Sequence, residues 1–195
     1  MDLSSDDSAS ATIRGLVSRV AGRADQAATL RAELRANIKE IAEQARSAGA
    51  REFYFAAEIA PLVPISATLS VFLPEWDLDR LDELGIVELE SVLRAGTSAM
   101  ATPALGERTV NVPEVAVVRR RYRRVVNRER EGLDPVPIFQ VDYWVAAAHP
   151  ARLALMSFSS PMMTYEEDLV ELFDAIVKTT RWPGDDDSRA SAALS

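Results

Sequence analysis

The side chains best equipped for chemistry stand together. Arg119, Arg120, Arg121, Tyr122, Arg123 and Arg124 put five guanidinium groups into six consecutive positions. A guanidinium can donate two parallel hydrogen bonds to a carboxylate or a phosphate, so the run is a candidate phosphate site or a surface for an acidic partner. It lies inside residues 114–126, which read as a strand. Strand side chains alternate, which sends Arg119, Arg121 and Arg123 to one face and Arg120 and Arg124 to the other, so no five-arginine stripe can form. The whole chain carries 22 basic against 30 acidic residues, a net charge of −8, which opposes general attraction to nucleic acid or to an anionic membrane. Neutralisation of the chain's own carboxylates is the simpler role for these arginines.

Other reactive types are sparse. With no cysteine there are no disulfides, thiolate metal sites or thiol nucleophiles, and the single His149, in a turn beside Pro150, cannot build a multi-histidine site. Asp77, Asp79, Asp82 and Glu88 superficially resemble a calcium loop, but Leu81 stands where an oxygen ligand is needed and Asp82 where the turn needs glycine. Glu167, Glu171 and Asp174 share one face of the last helix, a spacing open to acid–base work, yet they lie opposite an apolar stripe and read as its wet face. No glycine-rich phosphate loop and no G-x-S-x-G segment occurs. The expectation is therefore no catalytic, cofactor-binding or metal-binding residue.

These residues must be positioned by one α+β domain. The 195 residues, 48% hydrophobic and 27% charged, suit a single globular unit over residues 11–183, between a Ser/Asp tail at 1–10 and an acidic tail at 184–195. Ile13, Leu16, Val17 and Val20 keep helical spacing, as do Leu30, Leu34, Ile38, Ile41 and Ala45 in a long helix over about 25–48 that Gly49 stops. Aromatic and β-branched runs at 51–59 and 65–73 read as paired strands, and leucine-rich 77–95 as short helical turns broken at Gly85. Residues 96–113 form a loop with a short strand at 109–112. Strands at 114–126, 136–147 and 152–159 are joined by connections short enough to require an antiparallel meander. A final helix over 165–181 opens with a Thr164–Glu167 capping box and buries Leu169, Leu172, Phe173 and Ile176.

Placing Tyr122 inside groups it with Ala116, Val118, Val126, Phe139, Val141, Tyr143 and Val145. Arg119, Arg121 and Arg123 then share the reverse face with Gln140, Asp142 and Trp144, which predicts an Arg121–Asp142 pair and an Arg119–Trp144 stack. Arg119, Arg121, Arg123, Asp142 and Trp144 are accordingly the candidate interaction surface, with Trp144 as its anchor. The strand at 152–159 is apolar on both faces, so the sheet of five to six strands needs cover on both sides. The long amino-terminal helix and the carboxy-terminal helix are expected on opposite faces.

The segments Tyr143-Trp144-Val145, Leu155-Met156-Ser157-Phe158-Ser159-Ser160-Pro161 and Leu172-Phe173-Asp174-Ala175-Ile176, continuing to Trp182, resemble uncharacterised actinobacterial proteins with a PsbP-like α/β/α sandwich. An arginine-over-lysine bias, with Lys39 and Lys178 the only lysines, agrees with a GC-rich genome. The resemblance implies a non-catalytic protein-interaction or adaptor domain, accessory to a larger bacterial assembly, with a protein partner, acidic if it meets the arginines. The alternative is a small-molecule-binding domain or weak enzyme using a cleft between the sheet and the 96–113 loop. A polar amino terminus and the lack of any run of roughly 20 apolar residues make cytoplasmic placement without a membrane span the expectation. Oligomeric state stays open.

Overall fold

The computed structural model describes residues 13–15, 17, 28–60, 63–74, 85–98, 104–126, 134–147 and 152–180. Both expected tails, Trp76, Asp77, Asp79, Asp82, His149 and Trp182 lie outside the described residues. The fold is α+β. Helix α1 (Ala28–Ser47) leads into strands β1 (Glu52–Ala60) and β2 (Val63–Phe72). Helix α2 (Ile86–Ser98) follows, then β3 (Gly106–Thr109), β4 (Val115–Val126), β5 (Val136–Ala147), β6 (Arg152–Ser160), a 3₁₀ turn (Met163–Tyr165) and helix α3 (Glu166–Thr179). All six strands form one antiparallel sheet in the order β1-β2-β6-β5-β4-β3. It is a hairpin joined to a meander along the β2–β6 seam.

Helix α1 ends as the sequence requires. Gly49 sits at φ +90, the left-handed region that glycine enters without penalty, while the amides of Ala50 and Gly49 bond the carbonyls of Ala45 and Arg46, each at 2.9 Å. Its buried stripe runs through Ile38 and Ala42 with Leu34 and Ala45 alongside, against Phe53, Phe55 and Phe72 of the hairpin, so Ile41 points outward instead. Ile13 and Val17, described within the expected early helix, are buried in one cluster with Ile38 of the same helix.

The two faces of the sheet are covered differently. On one, α3 lays Leu169, Val170, Phe173 and Val177 onto Phe139, Val141, Tyr143, Met156 and Phe158. Phe173 stacks on Phe158 at 4.4 Å and on Phe139 at 6.2 Å, and each such buried ring contributes about 1.5–3 kcal/mol. On the other face α1 covers the β1–β2 end, and α2 covers β4 and β5 with Leu89 and Leu93 on Ala116, Val118 and Ala146. Cover on opposite faces by the first and last helices is as expected.

Three local expectations change. The short strand pairs at Gly106–Thr109, with an isolated Val112–Val115 bridge, rather than at 109–112. Helix α2 begins after Gly85 and continues to Ser98, because burying Thr97 against Glu107 and Arg120 carries it one turn into the expected loop. The Thr164–Glu167 box does not form. Tyr165 is the N-cap without a side-chain bond, and the Glu167 carboxylate is drawn to Arg121. The acidic first turn of Glu166, Glu167 and Asp168 complements the helix dipole in its place.

Candidate functional site

The arginine strand holds the carboxy-terminal helix. Strand β4 pairs with β5 so that Arg119 opposes Tyr143, Arg121 opposes Val141 and Arg123 opposes Phe139. Directly opposed residues share a face, so these three arginines lie under α3. Arg119 donates to the Asp174 carboxylate at 2.7 Å, and the Tyr143 hydroxyl donates to its other oxygen at 2.7 Å. Arg121 reaches Glu166 and Glu167, each at 2.6 Å, and Arg123 reaches Glu166 at 2.7 Å. Burial pushes the Glu166 carboxyl up, but hydrogen bonds from Arg121 and Arg123 outweigh it and hold the group below the ordinary carboxylate range. Glu167 is lowered by its bond from Arg121. The Tyr143 phenol is raised, first by burial and then by its bond to Asp174.

Asp142 and Trp144 face the other way. Asp142 opposes Arg120, and Trp144 opposes Val118, on the face covered by α1 and α2. The candidate surface of Arg119, Arg121, Arg123, Asp142 and Trp144 is therefore split between two faces, and neither the Arg121–Asp142 pair nor the Arg119–Trp144 stack exists. The expected phasing fails by one residue. The first half of β4 is apolar on both faces, so either pairing register buries valines, and a one-residue slip exchanges every side chain between faces. Asp142 instead accepts from Ser157 at 2.7 Å and Gln140 at 2.8 Å, and burial raises its carboxyl. Trp144 packs against the α2 cluster, with its indole nitrogen buried and unbonded.

Arg120 belongs to a second internal network. It is 5% exposed, bonds the Thr97 carbonyl and lies 3.3 Å from Glu107, while Arg94 bridges Glu90 at 2.9 Å and Glu107 at 3.4 Å. These contacts fasten α2 to the β3–β4 edge. Among the described residues no cluster of three or more His, Asp or Glu side chains could hold a metal ion, and no helix is long and apolar enough to cross a membrane. Asp174, read from the sequence as solvent-facing, is instead the acceptor shared by Arg119 and Tyr143.

What the charges leave open is an apolar groove of about 590 Å³. A helix is roughly 10 Å across and strands lie about 4.8 Å apart, so a single helix cannot roof a six-stranded face. Held toward β4 by the arginines, α3 leaves the β1–β2 side uncovered. Leu69 and Val71 of β2 with Met156 and Phe158 of β6 make the floor, and Leu172 and Ile176 of α3 make one wall. Tyr54 and Ala56 line the β1 margin, where charge enters only with Arg51 and Glu52. The Tyr54 hydroxyl donates to Glu52, and that bond pushes the phenol up to about 12. Tyr54, Leu73 and Ile176 are exposed, at 46%, 49% and 37%. The groove is remote from the cleft expected beside residues 96–113, none of whose described residues lines it. The alternation of Ile65, Ala67, Leu69, Val71 and Leu73 marked this face as apolar; only the position of α3 shows that part of it lacks cover among the described residues.

No protein-family model, curated protein or solved structure matches this chain.

Proposed function

We propose that this chain is a non-catalytic protein-interaction domain whose docking surface is the apolar groove between the β1–β2 hairpin and α3. The observation that carries this reading is the groove's composition, mostly aliphatic and aromatic, with Thr68 and Thr180 as its uncharged polar residues and charged side chains only at the β1 margin. Two further features support it. Arg119, Arg121 and Arg123, which offered a docking site for an acidic partner, are engaged by Asp174, Glu166 and Glu167, whose carboxylates serve as acceptors that hold α3 to the sheet. The PsbP-like resemblance points to the same non-catalytic class and forms part of the proposal.

Selection from a displayed random-peptide library tests it, with the wild-type chain and the groove-blocked variants Ala56→Trp and Ile176→Glu as baits. Both positions are partly exposed, so an unchanged unfolding midpoint certifies the fold. Apolar peptides should enrich on wild type and bind the variants at least about tenfold more weakly, a loss of about 1.4 kcal/mol. Equal enrichment on wild type and variants, or none on any bait, rejects the reading.

A second reading, a small apolar ligand in the same groove, is favoured by its volume, which falls within the roughly 300–1,000 Å³ of small-molecule sites. Dodecanoate separates the two: a saturable rise in the melting temperature of wild type but not Ile176→Glu supports the ligand, and no rise removes it.

A further inference from the structure

We infer that the partner engages this domain as an extended, cationic segment that adds a seventh strand at the outer edge of β1. This inference rests on the groove being a protein-docking surface. Strand β1 is nine residues long, and among the described residues only β2 pairs with it, leaving its outer backbone groups unladdered. Its sequence, Glu52 to Ala60, contains neither the proline nor the lysine with which edge strands are commonly protected. The opposite edge differs. Strand β3 has four residues, and Glu107 within it is bridged to Arg94 of α2.

The pairing of β1 with β2 is regular from Glu52 to Ala56 and shifts register beyond it. The regular part is therefore the template, and it is also the part that borders the groove. Glu52, Tyr54 and Ala56 oppose Val71, Leu69 and Ala67, all on the α3 face. An added strand lies about 4.8 Å outside β1, so every second side chain would stand beside Tyr54 or Ala56 at the open margin. Main-chain bonds would supply affinity, and apolar residues at alternate positions would supply fit.

Charge selects among occupants. Glu52 and Glu58 are exposed on β1 against one exposed cation beside it, Arg51, and the chain carries a net charge of −8. A second copy would bring its own Glu52 and Glu58 to the same ladder with another −8, an arrangement that like-charge repulsion opposes. A segment carrying lysine or arginine between or beside its apolar residues complements the edge.

The probe is a fluorescein-labelled peptide, acetyl-Lys-Val-Thr-Val-Thr-Val-Thr-Val-Lys-amide, read by fluorescence polarisation together with amide hydrogen exchange of the full chain. It should bind, slow exchange in β1 by about tenfold or more, and bind less tightly as salt rises. Two controls should bind at least about tenfold more weakly: an isomer with its four valines contiguous, and a peptide N-methylated along one edge. Binding that leaves β1 exchange unchanged, or that survives N-methylation of each edge in turn, overturns strand addition while leaving the groove as a side-chain docking surface. Failure of the probe while library peptides still depend on Ala56 and Ile176 does the same. Equal affinity for a peptide with glutamate in place of lysine removes the charge assignment. Concentration-dependent dimers that protect β1 would make a second copy the occupant. If neither probe nor library peptides bind through the groove, both readings fall.

Discussion

Arg119 and Asp174 meet at 2.7 Å, tying the middle of β4 to α3, with side chains 10% and 22% exposed. The Tyr143 hydroxyl occupies the second carboxylate oxygen. Removing the acceptor alone strands a cation and a phenol in a nearly dry site. Asp174→Ala should therefore cost about 2–4 kcal/mol in urea unfolding. Arg119→Met combined with Asp174→Leu should cost clearly less than the two single changes added together, because no charge is then left behind. Strict additivity would show that the pair is not coupled.

Glu166 and Glu167 give the acid side of the stability curve its shape. Both have folded-state pKa values below the ordinary 4.5. Their contribution is therefore complete above that value and is lost as pH falls through the lower, folded one. Stability should decline below pH 4.5, and Glu166→Gln should flatten that decline while lowering stability at pH 7. Glu167→Gln should have the smaller effect, since its side chain is 77% exposed. A steeper acid limb in Glu166→Gln would contradict the assignment.

Asp142 has the opposite sign. Burial raises its pKa above the ordinary 3.8, so the fold prefers the protonated acid and loses stability as pH rises from 3.8 through the raised value. Asp142→Asn retains an acceptor for Ser157 and Gln140 and removes the buried charge. Its melting temperature should exceed that of wild type at pH 7, and the advantage should disappear below 3.8. A lower melting temperature at pH 7 would mean that attraction from Arg124 and Arg120 outweighs burial.

Phe173 and Ile176, on the same helix, should behave differently. Phe173 is 1% exposed and stacked between Phe139 and Phe158, so Phe173→Ala should cost about 3–5 kcal/mol. Ile176 is 37% exposed at the groove wall, and Ile176→Ala should change stability by less than about 1 kcal/mol while weakening groove-dependent peptide binding. Equal destabilisation by the two would place Ile176 in a closed core and deny the groove.

Much of this architecture was legible in the residues. The 3.6-residue stripe through Leu34 and Ile38, the stop at Gly49 and the period-two alternation of Ile65 to Leu73 are short-range signals, and each element stands where it was expected. What failed depends on parity or partners. Whether Arg119 faces Tyr143 or Trp144 is decided by pairing across the 127–135 connection, and apolar residues on both faces of Val115–Val118 leave that choice open to local reading. Asp174 looked solvated because helical spacing identifies a polar flank without revealing the arginines beneath it. The groove was invisible for a related reason. Alternation marks an apolar strand face but not the width of the helix that will cover it.

The β2–β6 seam sets the order of assembly. Thr68 and Ser159 pair there across 91 positions, whereas the hairpin and the meander each close through neighbouring strands. Loop closure over such a span is entropically slow. The two half-sheets can therefore form early and separately, and the floor of the groove, shared between β2 and β6, comes into being only with the final zipping of the seam. A nascent chain has no competent docking surface until its last strand, and the α3 wall that follows it, have emerged.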